Sequence, residues 1–299
     1  MTLEHTARSL TAQVRSRGNR LQRSASWNVA HDESRDFRVP GAQSLHRGLM
    51  LLDLVAVMSR EQCGGVTLAD LVRVTGAPKS SIHRIAHALV EAGYVERTEV
   101  GNYRLGLHAQ VLGQLAVANL DPIVEASSDS LRRLAALSED TTFLTVRQGT
   151  YGLCLRREEG AGIIRNNAMG VGDRHPLGVG AGALAILASL GDDEVDEAIE
   201  RNDQVVARHY PLVSESVLRK SIGQVRADGF ALNPGLAAVG SWAIGIALHD
   251  SEGVPRAALS IASVEERLSG SRRDYLVAAL KREQALIQEA VSDRLSERP

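Results

Sequence analysis

A chain of 299 residues, 44% of them apolar and 23% charged, is long enough for two ordinary domains and apolar enough to fill a core in each. A formal charge of −2 argues against a uniformly basic nucleic-acid coat, and 3% aromatic residues leave little on which single-stranded bases could stack. No apolar run reaches the ~18 residues of a membrane-spanning helix, and Cys63 and Cys154 show neither disulfide-framework nor metal spacing. A soluble, cytoplasmic protein with no membrane partner is therefore expected.

The charge is unevenly spread. Residues 1–104 hold 14 Lys and Arg against 10 acids, while 105–299 hold 20 against 26. A basic head on an acidic body suits a chain in which one module alone meets phosphate. Residues 1–40 carry seven arginines and no hydrophobic periodicity, and they read as a disordered tail. An organelle transit peptide, or a basic arm adding phosphate contacts, are the alternatives.

Periodic structure starts at Ser44. Leu45, Leu49, Leu52 and Val55 recur at helical spacing, which predicts a helix over 44–60 capped by Ser44. Gly64-Gly65 breaks it. Thr67, with Asp70 three residues on, approximates a capping box and opens a short helix that Gly76 ends. Ala77-Pro78 starts another, with Pro78 in its first turn, running to Gly93. Leu71, Ile82, Ile85 and Leu89 sit where these two helices would pack across each other. Opposite that seam lie Lys79, His83 and His87 at i, i+4 spacing, beside Ser80, Ser81 and Arg84. The face holds no acids, as a helix entering a DNA major groove requires.

YVER (94–97) and YRL (103–105), around a turn at Glu99–Asn102, read as a hairpin wing carrying Arg97 and Arg104. A solvated three-helix interaction bundle is the rival reading, and the wing directly behind the second helix argues against it. The next helix, 107–118, has an apolar stripe (Leu107, Val111, Leu112, Leu115) available for pairing two chains. Asp121-Pro122 follows. The expected division is a winged helix-turn-helix at 41–105, a linker helix at 106–120 and an effector-binding domain at 121–299.

Beyond Pro122 a helix (123–138) precedes strands TTFLTVRQ (141–148) and YGLCLRRE (151–158), split by Gly149-Thr150. A stretch with seven glycines, 160–182, leads into a helix at 181–190, and helices near 192–202 and 214–227 follow. FALN (230–233), WAIGIALHD (242–250) and RAALSIAS (256–263) read as strands, and 271–295 as a closing helix. The expected class is α+β on an antiparallel sheet. Free N–H groups at the start of the 181–190 helix suit a carboxylate. A nucleotide loop is disfavoured: GxxxxGK is absent, and Pro176 stands where a strand should precede. Taken singly, each glycine reads more simply as tight packing.

The block SLHRGLMLLDLVAV…TLADLVRVTGAPKSSIHRIAHALVEAGYVER…GNYRLG closely resembles the IclR family of bacterial regulators. So do RHPLGVGAGALAILA (174–188), RADGFALNPGLAAVGSWAIGIAL (226–248) and RAALSIAS (256–263), which resemble that family's effector-domain signatures. The resemblance covers about 44–295. It implies a GAF-like sensor domain, a dimerising linker helix, often a dimer of dimers, a double-stranded operator read as an inverted repeat, and a small organic-acid effector. It also implies effector contacts at Ala181 and Gly182, Asn233, Ala243, and Ser260 with Ala262, with Trp242 alongside. The chain departs from the family pattern at three of these: Asn233 replaces an acid, Ala243 a Cys and Ala262 a Ser. The departures favour an acid less polar than the smallest keto-acids; the alternative is a winged-helix DNA-binding protein that has lost ligand sensing.

An enzyme is the rival class. The chain has no GxSxG elbow and no visible His–Asp partner for Ser260, so no catalytic residues and no cofactor are expected. His108, His175, His209 and His249 share no ligand spacing and read as surface or capped histidines, and no metal is expected.

Overall fold

The computed structural model describes residues 41–60, 64–117, 121–162 and 169–296. The expected tail, Cys63 and the middle of the glycine-rich stretch lie outside them. The described residues form two compact units that part at Asp121.

The first unit begins with helix α1 (Gln43–Ser59). Ala42, not Ser44, precedes it, and no side chain caps it; Ser44 already lies in the first turn. Helix α2 (Leu68–Thr75) has Thr67 as its cap, accepting from the Asp70 N–H at 3.1 Å. The Thr67 hydroxyl in turn donates to the Asp70 carboxylate at 2.6 Å. That bond, ahead of partial burial that opposes it and the nearby Arg73, holds the carboxyl below its ordinary value. Gly76 ends α2 at φ +63°, where a side chain would be strained.

Helix α3 (Lys79–Glu91) starts one residue later than expected, with Pro78 in extended conformation as the cap rather than in the first turn. Leu71, Ile82 and Ala86 are buried, while Ile85 and Leu89 are only half-buried. The seam runs along 82–86, one residue round the helix from the expected 82–85–89. Strands β1 (Val95–Arg97) and β2 (Tyr103–Leu105) pair antiparallel, Val95 opposite Leu105. Helix α4 (Leu107–Val117) completes the unit.

The second unit is a six-stranded antiparallel sheet in the order β5-β4-β3-β8-β7-β6. Helix α5 (Pro122–Ser138), capped by the Asp121 carboxylate, feeds β3 (Thr141–Gln148), which turns at Gly149-Thr150 into β4 (Tyr151–Glu158). Strand β5 (Arg174–Pro176) was not expected. Pro176 forms no obstacle there, because β5 is an edge strand and its missing N–H faces no ladder partner.

Helix α6 (Ala181–Ala188) is buried at all eight positions, consistent with a sequence (AGALAILA) that is apolar all round. Helix α7 (Asp192–His209) outruns the expected end at 202 by seven residues. Val195, Ala198, Asn202 and Val206 keep one face buried, and the Asn202 amide is used, donating to the Thr150 carbonyl at 2.8 Å. Helix α8 (Glu215–Asp228), strands β6 (Ala231–Pro234), β7 (Trp242–His249) and β8 (Pro255–Ser263), and helix α9 (Gly270–Ser296) follow.

Helices α5 and α9 cover one face of the sheet and α6 the other, with α8 packed on α6. Two buried ion clusters tie the first layer. Arg133 of α5 holds Glu283 of α9 at 2.6 Å. Asp140 accepts from Ser263 Oγ (2.6 Å) and Arg267 Nε (2.8 Å) and faces Arg272. Burial alone would raise the Glu283 carboxyl, but the bonds from Arg133 and Ser130 outweigh it and hold the group below its ordinary value.

Candidate functional site

The first unit offers a helix face. Lys79, Ser80, His83, Arg84 and His87 of α3 are exposed, and Ser81 is half-buried. Among the described residues neither Lys79 nor Arg84 is paired with an acid, so both cations are free to meet phosphate or base edges. The face is not wholly acid-free, contrary to the expectation: Glu91 lies one turn beyond His87, 3.8 Å from its Nδ1. That acid sits at the helix C-terminus, away from the basic start. In the wing, Arg97 lies over the Tyr103 ring at 5.7 Å, and Arg104 pairs across the strands with Glu96. Arg97 thus keeps its charge available, whereas Arg104 is partly neutralised. On α4, Leu107, Val111, Leu112 and Leu115 are exposed by 40–70%.

The second unit encloses a cavity of about 200 Å³ between α6 and the sheet. Its polar end is the start of α6, where the N–H groups of the first turn have no helical acceptor. Gly245 on β7 permits this approach, since a Cβ there would lie 2.8 Å from the Ala181 carbonyl oxygen. Beneath the helix start, Thr145 and Ser260 converge: a Cβ on Gly182 would stand 2.9 Å from Thr145 Oγ1 and 3.5 Å from Ser260 Oγ.

Asn233 is 4% exposed, and its Oδ1 accepts from the Leu236 N–H at 2.8 Å. That bond fixes the amide, leaving Nδ2 as a donor. Asn233, Ala243 and Ala262 are direct cross-strand neighbours along β6, β7 and β8. The three departures from the family pattern therefore form one continuous row of the wall. Among the described residues that line it, none carries an acidic, Lys or Arg side chain.

Ala181, Gly182, Asn233, Ala243, Ser260 and Ala262 all line the cavity. Trp242 does not: alternation along β7 turns Ala243 inward and Trp242 away, its Nε1 near Gly235. Sequence reasoning also missed a pair on the wall. His175, expected at the surface or capped, lines the cavity, with its Nδ1 2.9 Å from Tyr210 Oη. Burial pulls the imidazole below its ordinary value despite the opposing charge of Asp173. Burial also pushes the Tyr210 phenol well up, with Asp173 and Tyr151 adding to it. Nothing local in RHPLG marks His175 as inward-facing; the edge strand that orients it was itself not legible.

Two family descriptions match the chain: "IclR helix-turn-helix domain" over residues 44–99 and "Bacterial transcriptional regulator IclR C-terminal" over 114–288. The chain belongs to the IclR family. Among its relatives, the HTH-type transcriptional regulator KipR of Bacillus subtilis is 29% identical over 216 residues, covering 72% of this chain and 86% of that protein. The acetate operon repressor of Salmonella typhimurium is 28% identical over 235 residues, 77% and 83% of the two chains. A crystal structure of an IclR homologue from Microbacterium hydrocarbonoxydans, complexed with 4-hydroxybenzoate, shares the fold with TM-score 0.65 at 22% identity, covering 84% of this chain and all of that one. As an IclR-family member the protein is a transcriptional regulator with a helix-turn-helix DNA-binding domain and an effector-binding C-terminal domain. No helix among the described residues is long and apolar enough to cross a membrane.

Proposed function

We propose that the chain is a cytoplasmic repressor that binds an inverted-repeat operator as a dimer or dimer of dimers and releases it in response to an organic monoacid. Residues 41–105 form the DNA-binding domain, 106–120 the linker and 121–299 the sensor. Lys79, Ser80, Ser81, His83, Arg84 and His87 meet the major groove, and Arg97 and Arg104 the flanking backbone. The exposed leucines of α4 pair two chains, because a single winged domain has too little surface for high specificity. The acid's carboxylate sits at Ala181 and Gly182, with Ser260 and the Asn233 amide donating to it. Its hydrocarbon part lies against Ala243 and Ala262.

The observation that carries this reading is the cavity itself: a helix start and a buried amide donor converge in a space whose described lining residues include no acidic, Lys or Arg side chain. Among the described lining residues an anion meets donors and no carboxylate, and a cation meets no counter-charge. Titration calorimetry on the full chain, with acids from glyoxylate and pyruvate to 4-hydroxybenzoate, tests it. The larger acids are expected to bind more tightly than the smallest. In Asn233→Asp, the added negative charge should weaken the best of them by tenfold or more. Binding confined to the two- and three-carbon acids, or tightened by Asn233→Asp, contradicts the proposal.

A further inference from the structure

His175 and Tyr210 face the same cavity as the helix start, but from its other side. His175 is on β5 and Ser260 on β8, three strands apart, which at ordinary strand spacing is about 14 Å between backbones. The wall between is largely apolar, with Phe143, Met169, Val179 and Ala183 contributing. We propose that His175 and Tyr210 form a second, uncharged recognition pole, which selects monoacids carrying a hydroxyl or carbonyl oxygen at the end remote from the carboxylate. The inference rests on the sensor reading above and adds the chemistry of the ligand's far end.

Counting protons decides what this pole offers. The neutral pair holds one imidazole N–H and one phenol O–H, and the 2.9 Å contact uses one of them. If the imidazole proton is on Nδ1, it donates to Oη, and the phenol proton is left over. If it is on Nε2, the phenol donates to Nδ1, and the Nε2–H is left over. Among the described residues Nε2 has no partner and is itself buried. Either tautomer leaves one donor unused in a setting where an unused donor is costly, and a ligand oxygen is what such a donor lacks.

Charge narrows the class. Asp173, 7% exposed, lies close enough to bear on both members of the pair, and its carboxylate accepts from the Gly170 N–H at 2.7 Å. Among the described residues no Lys or Arg side chain lines this end of the cavity to balance a second carboxylate, so a neutral oxygen is preferred there. His209, the other titratable group on the wall, lies next to Tyr210 in sequence at the end of α7. Burial keeps the pair itself neutral near pH 7, with the imidazole lowered and the phenol raised.

The test uses the full chain and two matched pairs of acids: phenylacetate with 4-hydroxyphenylacetate, and cyclohexanecarboxylate with its trans-4-hydroxy derivative. In the parent protein the hydroxylated member of at least one pair should bind about tenfold more tightly, the worth of one neutral hydrogen bond. Of Tyr210→Phe and His175→Leu, at least one, the variant that removes the left-over donor, should bring that ratio close to one while leaving affinity for the unsubstituted acid within about threefold. A purely structural role for the pair would weaken both members alike and keep the ratio, and that result overturns the inference. Equal binding of both members by the parent overturns it too, and leaves the sensor reading standing. If none of the four acids binds at millimolar concentration, the sensor reading fails and this inference falls with it. Tyr210→Phe preserves the ring and its packing, and His175→Phe, which keeps a ring in that place without an N–H, replaces His175→Leu if the leucine variant does not fold.

Discussion

Helices α3 and α6 carry the two proposed sites, and they use their polar groups in opposite ways. α3 presents side chains, with Lys79, His83, Arg84 and His87 outside and Ile82 and Ala86 inside. α6 has no polar side chain, and all it offers is the backbone of its first turn. The contrast extends to the units around them. Every described side chain that is both buried and polar or charged, from Ser127 to Glu283, belongs to the second unit. A surface that meets phosphate can be assembled residue by residue, because water satisfies whatever the DNA leaves. A cavity cannot. Each buried polar group must be satisfied by the protein or by the ligand, so its parts come from distant segments that fold together.

The largest effect is expected on removing a buried carboxylate from the second unit. Asp140→Ala takes away a side chain 1% exposed that accepts from Ser263 and Arg267. Arg267 and Arg272 keep 27% and 37% exposure and can return to water, so the loss should sit at the low end for a buried pair, about 3 kcal/mol. Calorimetric unfolding should show it as a lowered transition. A loss under about 1 kcal/mol would mean that the buried charges are dispensable and the contrast superficial.

The second test works on the exposed side. At least one of Lys79→Ala and Arg84→Ala should cost about 1–3 kcal/mol of operator affinity, and neither should move the melting temperature appreciably. Footprinting at physiological salt measures the first and thermal melting the second. Parent-like footprints from both variants would place the DNA-reading face elsewhere.

The smallest perturbation bears on backbone alone. Gly245→Ala adds one methyl 2.8 Å from the Ala181 carbonyl oxygen and 3.1 Å from the Gly182 nitrogen, so the start of α6 must shift. A stability loss of about 1–2 kcal/mol is expected, with a disproportionate loss of acid binding and unchanged operator affinity in the absence of ligand. An equal loss of stability without any loss of acid binding would show that the helix start is not the clamp.

Legibility followed the same division. In the first unit the Thr67 cap, the Gly76 terminus and the hairpin at 95–105 were readable, because each is decided within a few residues. The misses there are small shifts along a helical period: the cap stands two residues before Ser44, α3 starts one residue late, and the seam turns at Ala86 rather than Ile85. In the second unit the long strands and most helix spans were also readable from apolar runs and turn residues. The end of α7 was not, because Asn202 and Asp203 look like a stop while tertiary packing of Val206 and the Asn202–Thr150 bond carry the helix onward.

The sequence by itself determined that two units exist, that one carries a helix pair with a basic outer face, and that the other ends a glycine-rich stretch at an apolar helix. Those features rest on local periodicity and local backbone preference, which act before the chain closes on itself. Tertiary structure alone decided which way Trp242, His175 and Tyr210 point, and that Asn233, Ala243 and Ala262 lie side by side on neighbouring strands. A strand shows alternate residues to opposite faces, and its register against partners as distant in sequence as Ala262 is from Thr141 fixes which face is the cavity. No single segment holds that information.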